Sequence, residues 1–266
     1  MRSPLSLEYR VLALGILAAI IPLGSLLYFF PTQNAIYWAW VIPDPRSAML
    51  IGSIYLMGIL YFALALRTND WVQARNGTGA LLIFSITLLL ASIVHYEPFR
   101  PYHPTTLIWL TIYYAGPLFL PIIYVRQEAA MPAANTQGTP IAAAWRRWLI
   151  GRGALYLTLT LLGFIFAERL ASIWPWMIQP LELRTFTGQL AAVGWLGISA
   201  LNGGLPWRAH RLGLMLNGLI GLAQLVAIFV NSTPYNWLSP LGIILPLIFL
   251  EWLLTPLLMV LAYEKR

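Results

Sequence analysis

The sequence predicts an all-α integral membrane protein: eight transmembrane helices in two tandem, same-orientation four-helix repeats, with both termini cytoplasmic. Three observations predict this. Of the 266 residues, 59% are apolar and only 9% charged, whereas a soluble domain carries about 25% charged residues. The apolar residues form continuous runs. The rarest residue types also recur at one fixed displacement along the chain, the step that carries Trp38 onto Trp174.

Eight apolar stretches run from Val11 to Phe30, Ala48 to Leu66, Gly79 to Val94, Thr106 to Val125, Gly153 to Ala167, Thr187 to Leu201, Leu212 to Val230 and Leu241 to Tyr263. About 20 apolar residues cross a bilayer as a helix. Because the runs are continuous rather than alternating, helices are the spanning form that leaves no backbone group unpaired in lipid. The third, fifth and sixth stretches are short and are expected to extend into their flanks. The first lacks a small-residue cleavage site and reads as a retained helix rather than a signal peptide.

Orientation follows from the basic residues. Twelve fall on the side of the N-terminus: Arg2, Arg10, Arg67, Arg75, Arg126, Arg146, Arg147, Arg152, Arg208, Arg211, Lys265 and Arg266. Four fall opposite: Arg46, Arg100, Arg169 and Arg184. The positive-inside rule then places both termini in the cytoplasm, with the chain in the plasma (inner) membrane. The net charge of +7 is scattered over loops with no basic run beyond Arg146-Arg147, so nucleic acid is not an expected partner.

At that one displacement, Trp38, Trp40 and Trp71 meet Trp174, Trp176 and Trp207, while Arg10 and Arg75 meet Arg146 and Arg211. Gly58 meets Gly194, Pro98 meets Pro234 and Pro104 meets Pro240. The chain divides accordingly into residues 1–126, a flexible cytoplasmic linker at 127–144 rich in Ala, Pro, Gly and Thr, and residues 145–266. Parallel repeats occur in some transporter folds, an analogy of fold that carries no function.

The repeated residues have structural readings. Indole rings favour the headgroup layer with the N–H wet, so Trp38, Trp40, Trp174 and Trp176 read as interfacial re-entry segments. The sharper alternative is a symmetric aromatic vestibule that stacks a ligand. Trp71 and Arg75, repeated as Trp207 and Arg211, are spaced to share one helix face. There an interfacial belt or a cation over an indole accounts for them. Gly58 and Gly194 read as helix-packing positions.

Within the spans one ionisable residue stands apart. Glu251 lies near the centre of the last stretch, where a charge costs about 2.5–3.5 kcal/mol on insertion scales. No Lys or Arg falls within a stretch to pair with it, so it is expected to be desolvated and protonated much of the time. Asn217, Gln224 and Thr255 are its expected hydrogen-bond partners. The two readings are interhelical glue and a ligand or proton-coupling group. A second candidate, His95, Glu97 and His103 in one loop, offers metal-binding side chains in no defined signature.

Absences narrow the chemistry. Cysteine is absent, which removes disulfides and thiolate sites. There is no phosphate-cradling loop with Lys, zinc-protease motif or nucleophile elbow, and only two aspartates, Asp44 and Asp70. No cofactor is implied. Three functions remain: a structural or accessory subunit or interaction scaffold; a small transporter or channel for an apolar or weakly polar molecule; and a membrane enzyme acting on a lipid-like substrate. A pore lined by Asn202, Asn217, Gln224 and Glu251 would favour transport. The expected partners are the lipid bilayer and other membrane subunits or a second copy.

Overall fold

The structure, a computed structural model, describes residues 3–131, 138–231 and 233–264. It is helical, and no named β-strand occurs among the described residues. Seven helices are long and apolar enough to cross a membrane: α1 (Leu7–Phe29), α3 (Pro45–Thr68), α4 (Trp71–Val94), α5 (Pro104–Ala129), α6 (Ala143–Ile165), α9 (Trp207–Val230) and α10 (Pro240–Glu264). Short helices α2 (Asn34–Tyr37) and α7 (Ala167–Ala171) lie in connections.

The sixth expected stretch becomes α8 (Pro180–Ile198), followed by a 3-10 turn at Ser199–Leu201. Its first turns carry Glu182, Arg184, Thr185, Thr187 and Gln189, all buried. That polarity keeps it out of the set of apolar spans, yet it is the most enclosed of the long helices.

Helices begin well before the apolar runs suggest: α4 at Trp71 rather than Gly79, α6 at Ala143 rather than Gly153, and α8 at Pro180 rather than Thr187. The cause is local. Arg75 in α4, Arg152 in α6 and Arg184 in α8 face protein partners, so the helix continues through these leading turns. Both aspartates serve as N-caps, Asp44 accepting from the Arg46 amide at 2.8 Å and Asp70 from the Val72 amide at 3.3 Å. Such caps satisfy amides that the first turn leaves open. Between α3 and α4, Asn69 adopts a left-handed conformation at φ 47°, a C-cap geometry that asparagine tolerates.

Packing is pairwise. Helix α1 lies on α3, α5 on α4, α6 on α8 and α10 on α9, while α3, α4, α8 and α9 meet at the centre through α4–α8, α3–α9 and α4–α9. Glycines set the closest crossing: a Cβ on Gly197 would lie 2.4 Å from the Leu149 carbonyl oxygen and 2.7 Å from the Gly153 Cα. Gly58 faces Ile20 of α1 and Gly194 faces Leu157 of α6, both as contact positions.

Of the expected linker, Gln127–Ala129 belongs to α5, and the buried Gln127 accepts from the Ser6 amide at 2.6 Å. Beyond it, the Trp207 amide donates to the Thr139 carbonyl at 2.8 Å. Residues 132–137 lie outside the described residues.

Candidate functional site

Glu251 sits midway along α10, between Pro246 and Pro256. It has a cationic partner, which overturns the expectation of a carboxyl with none. Arg152, in the third turn of α6, donates from Nε to Glu251 Oε1 at 2.7 Å. The three arginines at 146, 147 and 152 end the apolar run in the sequence, but the helix runs through them and carries Arg152 to the depth of Glu251. Thr255, one turn along, donates to Oε1 at 2.6 Å, and Tyr156 donates to Oε2 at 2.7 Å. The Arg152 side chain is 2% exposed and that of Glu251 26%.

The other expected partners are placed differently. Asn217 does not reach the carboxylate. It accepts from Arg152 Nη2 at 3.5 Å and donates to the Trp252 carbonyl at 3.2 Å. Gln224 lies two turns further along α9, where its Nε2 donates to Gln189 Oε1 at 2.8 Å and to Ser53 Oγ at 3.3 Å. Asn202 is exposed in the turn after α8. These four residues therefore line no common channel.

The tryptophan-arginine pairs converge on carboxylates. Trp71 Nε1 donates to Glu128 Oε1 at 2.7 Å and Arg75 Nη2 to Glu128 Oε2 at 2.6 Å, so the two share one acceptor on α5 instead of stacking on each other. Likewise Arg211 donates to Glu264 through Nε and, at 3.2 Å, through Nη2, while Trp207 stacks on Tyr263 with ring centroids 5.0 Å apart. Glu128 and Glu264 are themselves repeat mates, separated by the same step as Trp38 and Trp174. That recurrence is the sequence signal through which both acceptors were findable.

The four other repeated tryptophans are core residues, not a wet interfacial belt. Trp38 and Trp40 are fully buried and pack edge-on against Trp109 at 5.7 and 5.0 Å. Trp174 packs on Phe186 at 5.7 Å, and Trp176 donates to Ser47 Oγ at 2.9 Å. Their own rings occupy the space that a vestibule would need. Folding the connections back over the helix ends buries the indoles that composition alone assigns to the headgroup layer.

The histidine loop does not assemble a metal set. His103 faces Thr105 through Nδ1 and the Ile36 carbonyl through Nε2, while His95 Nε2 contacts Arg184 Nη1. No cluster of three metal-binding side chains occurs among the described residues. The Pro-bounded loop turns the two rings apart. Arg184 holds Glu168 in a bidentate pair at 2.9 and 3.2 Å. Burial, with the Arg184 cation second, pulls His95 below its ordinary range, and the hydrogen bond from Arg184 pulls Glu168 down.

A matching contact uses Arg46, which is buried and donates to Asp44 at 3.3 Å, to Thr233 Oγ1 at 2.5 Å and to the Asn231 carbonyl at 3.3 Å. Arg46 and Arg184, read from the sequence as loop residues, thus sit in the first turns of α3 and α8. Each joins its helix to the far end of α9 or α4.

No protein-family model, curated protein or solved structure matches this chain. The site must therefore be read from its own geometry.

Proposed function

We propose that the chain is a non-catalytic integral membrane protein acting as a structural or accessory subunit, or interaction scaffold, of a membrane complex. The observation that carries this reading is that the intramembrane carboxylate and the Gln224 amide nitrogen are engaged by the chain's own side chains. Glu251 is held by Arg152, Tyr156 and Thr255, and Gln224 by Gln189 and Ser53. Paired in this way, the carboxylate ties α10 to α6, helices that otherwise pack on α9 and α8. The aromatic interior filled by Trp38, Trp40 and Trp109 fits the same role.

The reading includes eight spans, with α8 as the sixth, in two four-helix repeats. Helix bounds support it. The step that carries Trp38 onto Trp174 also carries α1 (Leu7–Phe29) onto the bounds of α6 and α4 (Trp71–Val94) onto those of α9. It likewise carries Pro104, the start of α5, onto Pro240, the start of α10. The Arg75–Glu128 pair maps by the same step onto Arg211–Glu264. Excluding Arg152, which α6 carries to the depth of Glu251, eleven basic residues still face four, supporting cytoplasmic termini in an inner membrane. A chain without cysteine allows a direct topology test. Single cysteines at Tyr102 and Leu238, 95% and 96% exposed, are expected to label from outside intact cells, and one at Ala130 only after permeabilisation. The reverse pattern refutes the orientation.

A second reading, transport through the centre, draws on one observation. A gap of about 90 Å³ between α3, α4, α8 and α9 is lined by Gln189 and Asn217, and Gln189 Nε2 has no acceptor among the described residues. Proteoliposomes loaded with a pH-sensitive dye separate the two readings. The scaffold reading expects no proton flux above empty liposomes. A flux above that level, abolished by Gln189→Leu in the gap or by Glu251→Gln, would overturn it in favour of transport.

A further inference from the structure

Helices α1 and α5 pack on α3 and α4 but scarcely on each other, and the space between them is a cleft of about 560 Å³. The volume lies within the range of about 300–1,000 Å³ typical of small-molecule pockets. Small residues open it: Gly15 and Ala19 on α1 face Ala115 and Gly116 on α5. A Cβ placed on Gly15 would meet nothing within 4 Å. No charged side chain lines the cleft. Two of its polar side chains are engaged within the chain, Ser85 Oγ with the Leu82 carbonyl at 2.8 Å and Tyr113 with Tyr55 at 3.2 Å, and Thr111 is the other hydroxyl in an otherwise apolar lining.

The other half of the chain treats the corresponding space differently. At the repeat displacement, Ile16, Ile20, Ala115 and Gly116 become Arg152, Tyr156, Glu251 and Trp252. There the gap between α6 and α10 is bridged by the Arg152–Glu251 pair, with the Tyr156 and Trp252 rings 5.9 Å apart. One cleft is closed by side chains of the chain itself; its counterpart is left open and apolar.

We propose that the open cleft is a binding site for one acyl chain of a membrane phospholipid. The inference rests on reading α1 and α5 as membrane spans and is independent of the scaffold reading. The lining sits mid-helix, at the depth where hydrocarbon is the surrounding medium. An unfilled void there would forfeit the dispersion contacts of its walls. A flexible chain without hydrogen-bonding groups matches both the volume and the uncharged, almost wholly apolar lining. The headgroup stays outside, since the cleft offers it no charge.

The test uses the full-length protein in phosphatidylcholine nanodiscs doped with a phosphatidylcholine that carries a diazirine midway along one acyl chain. After irradiation, adducts are mapped by mass spectrometry. Adducts are expected to concentrate on Gly15, Ala19, Ala115 and Gly116. Gly15→Phe and Ala115→Phe, made separately, are each expected to reduce them at least fivefold, with labelling of exposed Leu254 and Leu258 on α10 unchanged. Gly15→Phe enters open space, which keeps the test valid if Ala115→Phe fails to fold. Adducts no denser in the cleft than on α10, or insensitive to both substitutions, would overturn the proposal.

Discussion

Removing either partner of the Arg152–Glu251 pair should destabilise the protein, and by unequal amounts. Breaking a buried pair by deleting one charge costs about 3–5 kcal/mol. Here the Arg152 side chain is 2% exposed and Glu251 26%, and exposure at mid-span is to lipid rather than water, so Glu251→Leu should cost about 3–5 kcal/mol. That substitution strands a guanidinium, which cannot give up its proton. Arg152→Met leaves the Glu251 carboxyl with its Tyr156 and Thr255 donors, so the loss should be about 1–2 kcal/mol, one or two hydrogen bonds' worth. The double variant replaces the pair with apolar groups and should return to within about 1 kcal/mol of the parent. Unfolding by SDS titration in mixed micelles measures all four corners of the cycle. If the two losses add, or Glu251→Leu costs only the roughly 0.6 kcal/mol of an average hydrogen bond in a membrane protein, the pair is not the tie between α6 and α10 inferred here.

Three further perturbations follow from the geometry. Gly197→Ala places a methyl 2.4 Å from the Leu149 carbonyl oxygen and should cost about 1–3 kcal/mol through overpacking; thermal unfolding equal to the parent would contradict the close α6–α8 crossing. Glu128→Gln removes the carboxylate that accepts from both Trp71 and Arg75 and should cost about 1–3 kcal/mol, as for hydrogen bonds to a charged group; an unchanged SDS unfolding midpoint would refute that shared role. His95 is held below its ordinary value, chiefly by burial and then by Arg184, with Glu168 opposing. The folded state therefore binds fewer protons than the unfolded one, so this contribution is complete above about pH 6.5 and is lost as the pH falls below it. The drop in melting temperature between pH 7.5 and 5.5 should shrink in His95→Gln, and an identical drop would show that His95 has no part in it.

The membrane class was legible because it rests on composition and run length, which packing cannot alter. The helix starts were not. Trp71, Arg75 and Arg152 look like loop residues when only apolar content is weighed, yet each finds a protein partner, Glu128 or Glu251, that lets the helix continue. The candidate site was half legible. Glu251 stood out by its depth, but its cation did not, because Arg152 sits just outside the apolar run that begins at Gly153. The tryptophans misled for a related reason. Indoles sort to the headgroup layer when nothing covers them, and here Trp109 and Phe99 cover Trp40. No pattern in the sequence could say that His95 and His103 turn apart, since that depends on where the loop meets Arg184 and Ile36.

Native mass spectrometry of the protein gently extracted from its own membranes tests the scaffold reading most directly. The account predicts one or more other membrane subunits co-purifying at fixed stoichiometry, retained in Glu251→Gln. A lone protomer or homodimer carrying a bound apolar or weakly polar small molecule, lost in Glu251→Gln, would contradict it.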